Sequence, residues 1–176
     1  MKLTNWVVVT GPPSSGKTTL INALQAEGHI VSPEVAREII QYTLYPGQIK
    51  QCFHRDSLAL QREILAVTLK REHSLEIEQE VFFDRGVPDS IAYFEFHGYD
   101  PRLAIKASQF RRYKKIFYCE GLPVVEDGIR LENDSIAKEI GELIIRAYTS
   151  LDYDIIFLPV VSVEERMAMV LNHLKK

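Results

Sequence analysis

The densest chemical signal in this 176-residue chain is Gly11-Pro12-Pro13-Ser14-Ser15-Gly16-Lys17-Thr18-Thr19. Its glycines, lysine and threonine follow the spacing G-x-x-x-x-G-K-[ST]. A loop of this kind points successive backbone N–H groups inward around phosphate oxygens. Gly11 and Gly16 supply backbone angles and a close approach that a Cβ would block. Lys17 adds a point charge for the β- and γ-phosphates, and the Thr18 hydroxyl is a hard oxygen ligand suited to Mg²⁺. The predicted ligand is a nucleotide with Mg²⁺. ATP and GTP both remain open, although no guanine-reading N-K-x-D motif is present.

Six further residues carry chemistry. Asp84 closes an apolar run, Val81-Phe82-Phe83-Asp84, and offers a carboxylate to the metal or a cap to the following loop. The next residue is Arg85, where a hydrolytic machine would place a glutamate to polarise water. A guanidinium there stabilises phosphoryl charge and suits transfer rather than hydrolysis. Glu34, with Arg37 three residues on, stands where an acceptor hydroxyl would enter. It reads either as the general base or as a first-turn acid satisfying the helix dipole. Arg37 would bind substrate phosphate or hold Glu34. Asp89 is likewise a substrate contact or a helix N-terminal acid. Arg130, in Glu126-Asp127-Gly128-Ile129-Arg130, belongs to a lid over the transferring phosphoryl or to an ordinary charged loop.

The elements that position these residues alternate strand and helix, which predicts an α/β fold with a parallel sheet and helices on both faces. The expected strands are Trp6–Thr10, His29–Ser32, Val81–Asp84, Lys114–Cys119 and Asp154–Pro159. Helices are expected at Lys17–Ala26 with Gly28 as a left-handed cap, from Pro33-Glu34 to Ile40, over Phe53–Ile77, over Pro88–His97, from Asn133 or Asp134 onward, and after Ser162 with Glu165 completing a capping box. Leu122–Asp134 lacks periodicity and reads as a mobile loop. Ligands of open α/β sheets sit at the carboxyl ends of strands, where all these candidates fall.

Composition narrows the function class. A formal charge of −3 argues against broad nucleic-acid binding. The one dense basic run, Arg111-Arg112-Tyr113-Lys114-Lys115, reads as a solvated helix end, with a phosphate or lipid headgroup site as the alternative. No apolar stretch reaches the roughly 20 residues of a membrane helix. Cys52 and Cys119 are too few for a disulfide framework, so free thiols and a cytoplasmic location are expected. The length suits one domain spanning 1–176.

Together, the glycine-rich loop, Glu34-Val35-Ala36-Arg37, Asp84-Arg85 with Asp89 and Ala92-Tyr93, Asp127-Gly128-Ile129-Arg130, Tyr148, Pro159 and Glu165-Arg166 resemble the NadR/TRP-like-translocation-defect AAA-type family of ATPases and kinases. The resemblance implies a three-layer P-loop NTPase fold, a five-stranded parallel sheet in the order 2-3-1-4-5, and relation to nucleoside and nucleotide kinases. One branch of that family phosphorylates nicotinamide riboside; another is a nucleotide- and phosphoinositide-binding trafficking protein. The chain leaves no length for NadR's adenylyltransferase and DNA-binding parts, and Arg85 sets it apart from ring-forming motors. The reading is an ATP–Mg²⁺-dependent kinase acting on a nucleoside-like metabolite. A nucleotide-dependent switch and a slow NTP hydrolase are the alternatives.

Overall fold

The computed structural model describes residues 2–43, 57–121 and 131–175. At its centre is β2 (Val7–Thr10), buried along its whole length, as a central parallel strand covered on both faces must be. It pairs with β4 (Phe82–Asp84) and β6 (Lys115–Cys119), with Val9 opposite Asp84 and Thr10 opposite Tyr118. β3 (Val31–Ser32) extends the sheet beyond β4, and β7 (Ile155–Leu158) extends it beyond β6. The order β3-β4-β2-β6-β7 is the expected 2-3-1-4-5 when the strands of this sheet are counted along the chain.

Side chains alternate between faces along a strand, and two cores follow from that alternation. Val7, Val9, Phe82, Phe117 and Leu158 pack with Leu20, Ile21 and Leu24 of α1 (Lys17–Ala26) and Val170 of α7 (Val163–Leu174). Val8, Phe83, Ile116 and Tyr118 face the other way. They pack with Ala92 of α4 (Asp89–Phe96) and Ile140, Leu143, Ile144 and Tyr148 of α6 (Leu131–Thr149). A third cluster joins Leu65 of α3 (Ser57–His73), Ile91 of α4, Ala104 and Ala107 of α5 (Arg102–Ser108), and Ala147 of α6. The helix cover on both faces fixes the strand ends, and with them the loops that carry the polar residues.

Several expectations shift. Helix α2 (Val35–Thr43) starts after Glu34 rather than at Pro33, leaving Glu34 in the β3–α2 junction. Helix α3 ends at His73, short of Ile77, although Leu75 and Ile77 still pack against the core. Asn133 and Asp134 fall inside α6 instead of capping it. The basic run is not a helix end. Arg111–Arg112 forms β5, paired in parallel with β1 (Lys2–Leu3). The Arg112 guanidinium donates to the Leu151 carbonyl at 2.9 Å and lies 4.3 Å from the Tyr153 ring centroid. The Ser162–Glu165 capping box is present, and Gly28 follows α1 at φ +90°. Cys119 is a buried free thiol in β6. Cys52 and the 122–130 segment with Arg130 lie outside the described residues.

Candidate active site

Carboxyl ends of β2, β3 and β4 converge on one cleft of about 1160 Å³. Its floor is the phosphate loop, with Pro13–Thr19 in the lining. The backbone explains the glycines. Gly11 sits at φ +139°, and a Cβ there would stand 2.4 Å from the Cys119 carbonyl oxygen. Gly16, at φ +83°, is the left-handed residue that turns the loop into α1. Ser14 also takes a left-handed angle, φ +60°. The loop therefore feeds a helix N-terminus whose free N–H groups and dipole favour an anion.

Lys17 is 5% exposed. Its Nζ donates to the Pro12 carbonyl at 2.6 Å and to Ser15 Oγ at 3.2 Å. Burial, assisted by the Arg85 charge, brings its pKa down to about 8, against the opposing pull of Asp84, Glu34 and Asp89. Thr18 Oγ1 donates to Asp84 Oδ2 at 2.8 Å. The other oxygen, Asp84 Oδ1, is buried and has no hydrogen-bond partner. Burial and the nearby Glu34 carboxylate push the Asp84 carboxyl above its usual range. An orphaned carboxylate oxygen beside a threonine hydroxyl at a phosphate loop is a hard oxygen donor set that fits Mg²⁺.

Arg85 links the cleft's two ends. Its Nε donates to Glu34 Oε1 at 2.9 Å, and Nη1 donates to Asp89 Oδ1 at 3.0 Å and to the Gly11 carbonyl at 3.2 Å. Its guanidinium carbon is 5.2 Å from the Tyr93 ring centroid. Arg85 adopts φ +72°, an uncommon angle for a residue with a Cβ. Asp89 anchors that turn. Besides Arg85, it accepts hydrogen bonds from Thr10 Oγ1 at 2.6 Å, the Gly86 amide at 3.0 Å and Tyr148 OH at 2.7 Å. With four donors on a buried carboxylate, Asp89 is placed to hold Arg85 and the end of β2.

The far end of the cleft is bounded by Gln61, Ile64 and Thr68 of α3 and by Tyr93 and His97. Glu34 lines the same cleft and is tied to the phosphate loop through Arg85. Arg37 is 3.8 Å from Glu34 Oε2, with its side chain 56% exposed. The structure thus brings together the 11–19 loop, Glu34, Arg37, Asp84, Arg85 and Asp89.

Three further residues, outside the predicted set of site residues, support the cleft. Arg71 of α3 donates to the Pro33 carbonyl and to Glu38 Oε2, both at 2.6 Å, pinning the junction that carries Glu34. Glu72 accepts a hydrogen bond from Tyr113 OH, which in turn accepts from the Val87 amide at 2.8 Å. Arg166 of α7 reaches the carbonyl of Ser15 at 2.6 Å. Arg166 has a legible signal, since it falls four residues before Val170 on the apolar face of its helix.

Loop, strand order and cleft define a mononucleotide-binding P-loop fold of the kinase type. The chain belongs to the AAA_28 family of AAA domains, which matches residues 6–166. Among curated proteins none matches the sequence. Similar solved structures include deoxyadenosine kinase from M. mycoides, at 15% identity and TM-score 0.65, covering 97% of this chain and 98% of that one. Thymidylate kinase from Ehrlichia chaffeensis superposes with TM-score 0.69 at 15% identity, covering 97% and 98%. NadR protein in complex with NR gives TM-score 0.68 at 17% identity over 98% of this chain, which spans 50% of NadR. At such identities the likeness is one of fold.

Proposed function

We propose that the protein transfers the γ-phosphoryl group of ATP to a hydroxyl group of a nucleoside-like metabolite. The observation that carries this reading is a carboxylate, Glu34, in one continuous cleft lined in part by the phosphate loop and in part by side chains of α3 and α4. A switch needs only the first part, whereas transfer needs both and a base.

In this reading the backbone amides of residues 14–19 and the Lys17 ammonium hold the nucleotide phosphates. Thr18 and Asp84 would hold Mg²⁺, which when bound neutralises charge on the β- and γ-phosphates. The acceptor occupies the cleft beside Gln61 and Tyr93, with its hydroxyl toward Glu34. Glu34 accepts the hydroxyl proton, and Arg85 fixes the carboxylate relative to the phosphate loop through its bond to the Gly11 carbonyl. Arg37 lies at the cleft's exposed rim. Arg130 is assigned to the transferring phosphoryl group on sequence grounds. The donor is ATP, with GTP as the alternative. Structures of NadR with NR, deoxyadenosine kinase and thymidylate kinase share the fold, and nucleosides offering a free hydroxyl are the first acceptors to try.

The test is incubation with γ-labelled ATP and a panel of hydroxyl acceptors containing nicotinamide riboside, deoxyadenosine and thymidine, with Lys17→Ala as control. Label appearing on one compound, and absent with the variant, is the expected result. Tight MgATP binding with no acceptor labelled sinks the transfer reading in favour of a switch. Acceptor-independent hydrolysis at about 1 s⁻¹ or faster, within the ordinary range of enzyme turnover, makes the protein a hydrolase.

A further inference from the structure

We infer that Arg166 is a positioning residue of the phosphate loop. Its guanidinium holds residues 11–18 in their phosphate-receiving form and ties that form to the segments leaving β6 and β7. This rests on the reading that the loop binds nucleotide phosphates, and not on phosphoryl transfer.

Three observations carry it. Arg166 is 4% exposed, and each guanidinium nitrogen reaches a different segment. Nη1 donates to Ser15 O at 2.6 Å, Nη2 to Glu120 O at 3.1 Å and Nε to Pro159 O at 2.7 Å. Only a rigid planar fork satisfies three carbonyls fixed in three directions. Next, the contact is made at the loop's working end. A Cβ on Gly16 would lie 3.3 Å from Arg166 Nη1, so the guanidinium is packed against the glycine that starts α1. Finally, among the described residues Arg166 makes no ion pair. A buried charge offset only by carbonyl dipoles is unfavourable on its own. A phosphate seated in the loop places negative charge close to it, so the same cation that shapes the loop favours the loaded state.

The side chain is well anchored for this task. One turn further along α7, Val170 is fully buried with Leu20, Ile21 and Leu24 of α1. The helix that carries the clamp and the helix that follows the loop therefore share one core. Nucleotide binding at 11–18 should then be felt at Glu120-Gly121 and at Pro159–Ser162.

Calorimetric titration with MgADP at low temperature, on protein shown to be folded by circular dichroism, tests the proposal. Arg166→Met should raise the Kd at least tenfold. Arg166→Lys keeps the charge without the fork and should recover part of that loss. A general loss of stability lowers the melting temperature without changing the Kd of folded protein, so a Kd for Arg166→Met within twofold of wild type overturns the inference. Hydrogen exchange on the wild-type protein needs no variant to fold. MgADP should slow exchange at 120–121 and 160–162 together with 14–18, and slowing confined to the loop also overturns the coupling. A wild-type protein that does not bind MgADP overturns the nucleotide reading and this inference together. One that binds MgADP but labels no acceptor overturns the transfer reading alone.

Discussion

Replacing Glu72 with glutamine is expected to remove a pH dependence of stability that this carboxyl imposes from behind the site. Glu72 is 2% exposed, on the face of α3 that turns toward β5 and the Gly86-Val87 turn. Burial raises its pKa from 4.5 to about 7, outweighing the Tyr113 hydrogen bond and the charges of Arg111 from β5 and His73 from α3. The folded protein therefore holds this proton more tightly than the unfolded chain. Between pH 4.5 and about 7 the native state binds more protons, so unfolding free energy falls as pH rises and levels off above 7. At 1.36 kcal/mol per pH unit, the gap from 4.5 to about 7 amounts to about 3 kcal/mol. Of this, roughly 2–3 kcal/mol is lost between pH 5 and pH 8. Glutamine stays neutral and its amide oxygen can still accept from Tyr113. Any packing cost of the substitution is the same at every pH, so the difference between the two proteins isolates the titration. Urea unfolding at pH 5, 6, 7 and 8 should show Glu72→Gln gaining on wild type as pH rises. Two curves that run parallel within about 0.5 kcal/mol, below the effect expected from the linkage, would refute the reasoning and mean that Glu72 is already ionised at pH 5.

Lys17, with its pKa brought down to about 8 by burial and the Arg85 charge, should regain a proton when phosphate enters. Calorimetry in buffers of different ionisation enthalpy is expected to show proton uptake on MgADP binding near pH 8. Affinity should weaken above that pH, toward about tenfold per unit, and Lys17→Met should show no uptake. Asp84→Asn removes a buried charge that sits beside Glu34 and has one unpartnered oxygen. Thermal melts should find the variant more stable by about 1 kcal/mol, while Mg²⁺-dependent nucleotide affinity drops at least tenfold. Gly11→Ala places a Cβ 2.4 Å from the Cys119 carbonyl at φ +139°. Urea unfolding should register a loss of about 3 kcal/mol, as for other large-effect backbone and packing lesions, and nucleotide binding should disappear.

What could be read from the chain was what is local in sequence. The phosphate loop is nine consecutive residues bounded by a β-branched run and a helix, and each fixed type answers to backbone geometry or phosphate charge. Strand ends were legible because Asp84 closes an apolar run. Helix α3 shows why other parts were not. Its apolar residues fall in two rows at helical spacing, Leu60, Ile64 and Val67, and Leu58, Leu65 and Leu69. The face that is buried instead reads Gln61, Leu65, Thr68 and Glu72. A helix that walls a polar cleft at one end and a hydrogen-bonded network at the other buries polar residues, so apolar periodicity finds its shoulders. The β1–β5 pair escaped for another reason. Each strand is two residues long and the partners are more than a hundred positions apart, so no periodicity has room to appear. Arg166 was visible as part of a family pattern, but the three carbonyls it joins come from segments that only the folded sheet brings together.

The Arg85 turn is where these non-local forces meet. A left-handed angle at a residue with a Cβ is unfavourable by about 1 kcal/mol or more, and nothing adjacent in the chain compensates for it. The compensation comes from Asp89, itself saturated by the end of β2, the Gly86 amide and Tyr148 of α6. Tyr148 and Tyr113 crowd Gly86 so closely that a Cβ there would lie 2.9 Å from both hydroxyls. The turn is therefore held from the sheet, from α6 and from the Tyr113–Glu72 contact at once. Its product is one guanidinium bonded to Glu34 on one side and to the Gly11 carbonyl on the other. A carboxylate on a separate strand end is thereby set at a fixed place relative to the phosphate loop. A general base needs that fixed geometry before any substrate arrives, and a solvated glutamate at the start of a helix would not have it.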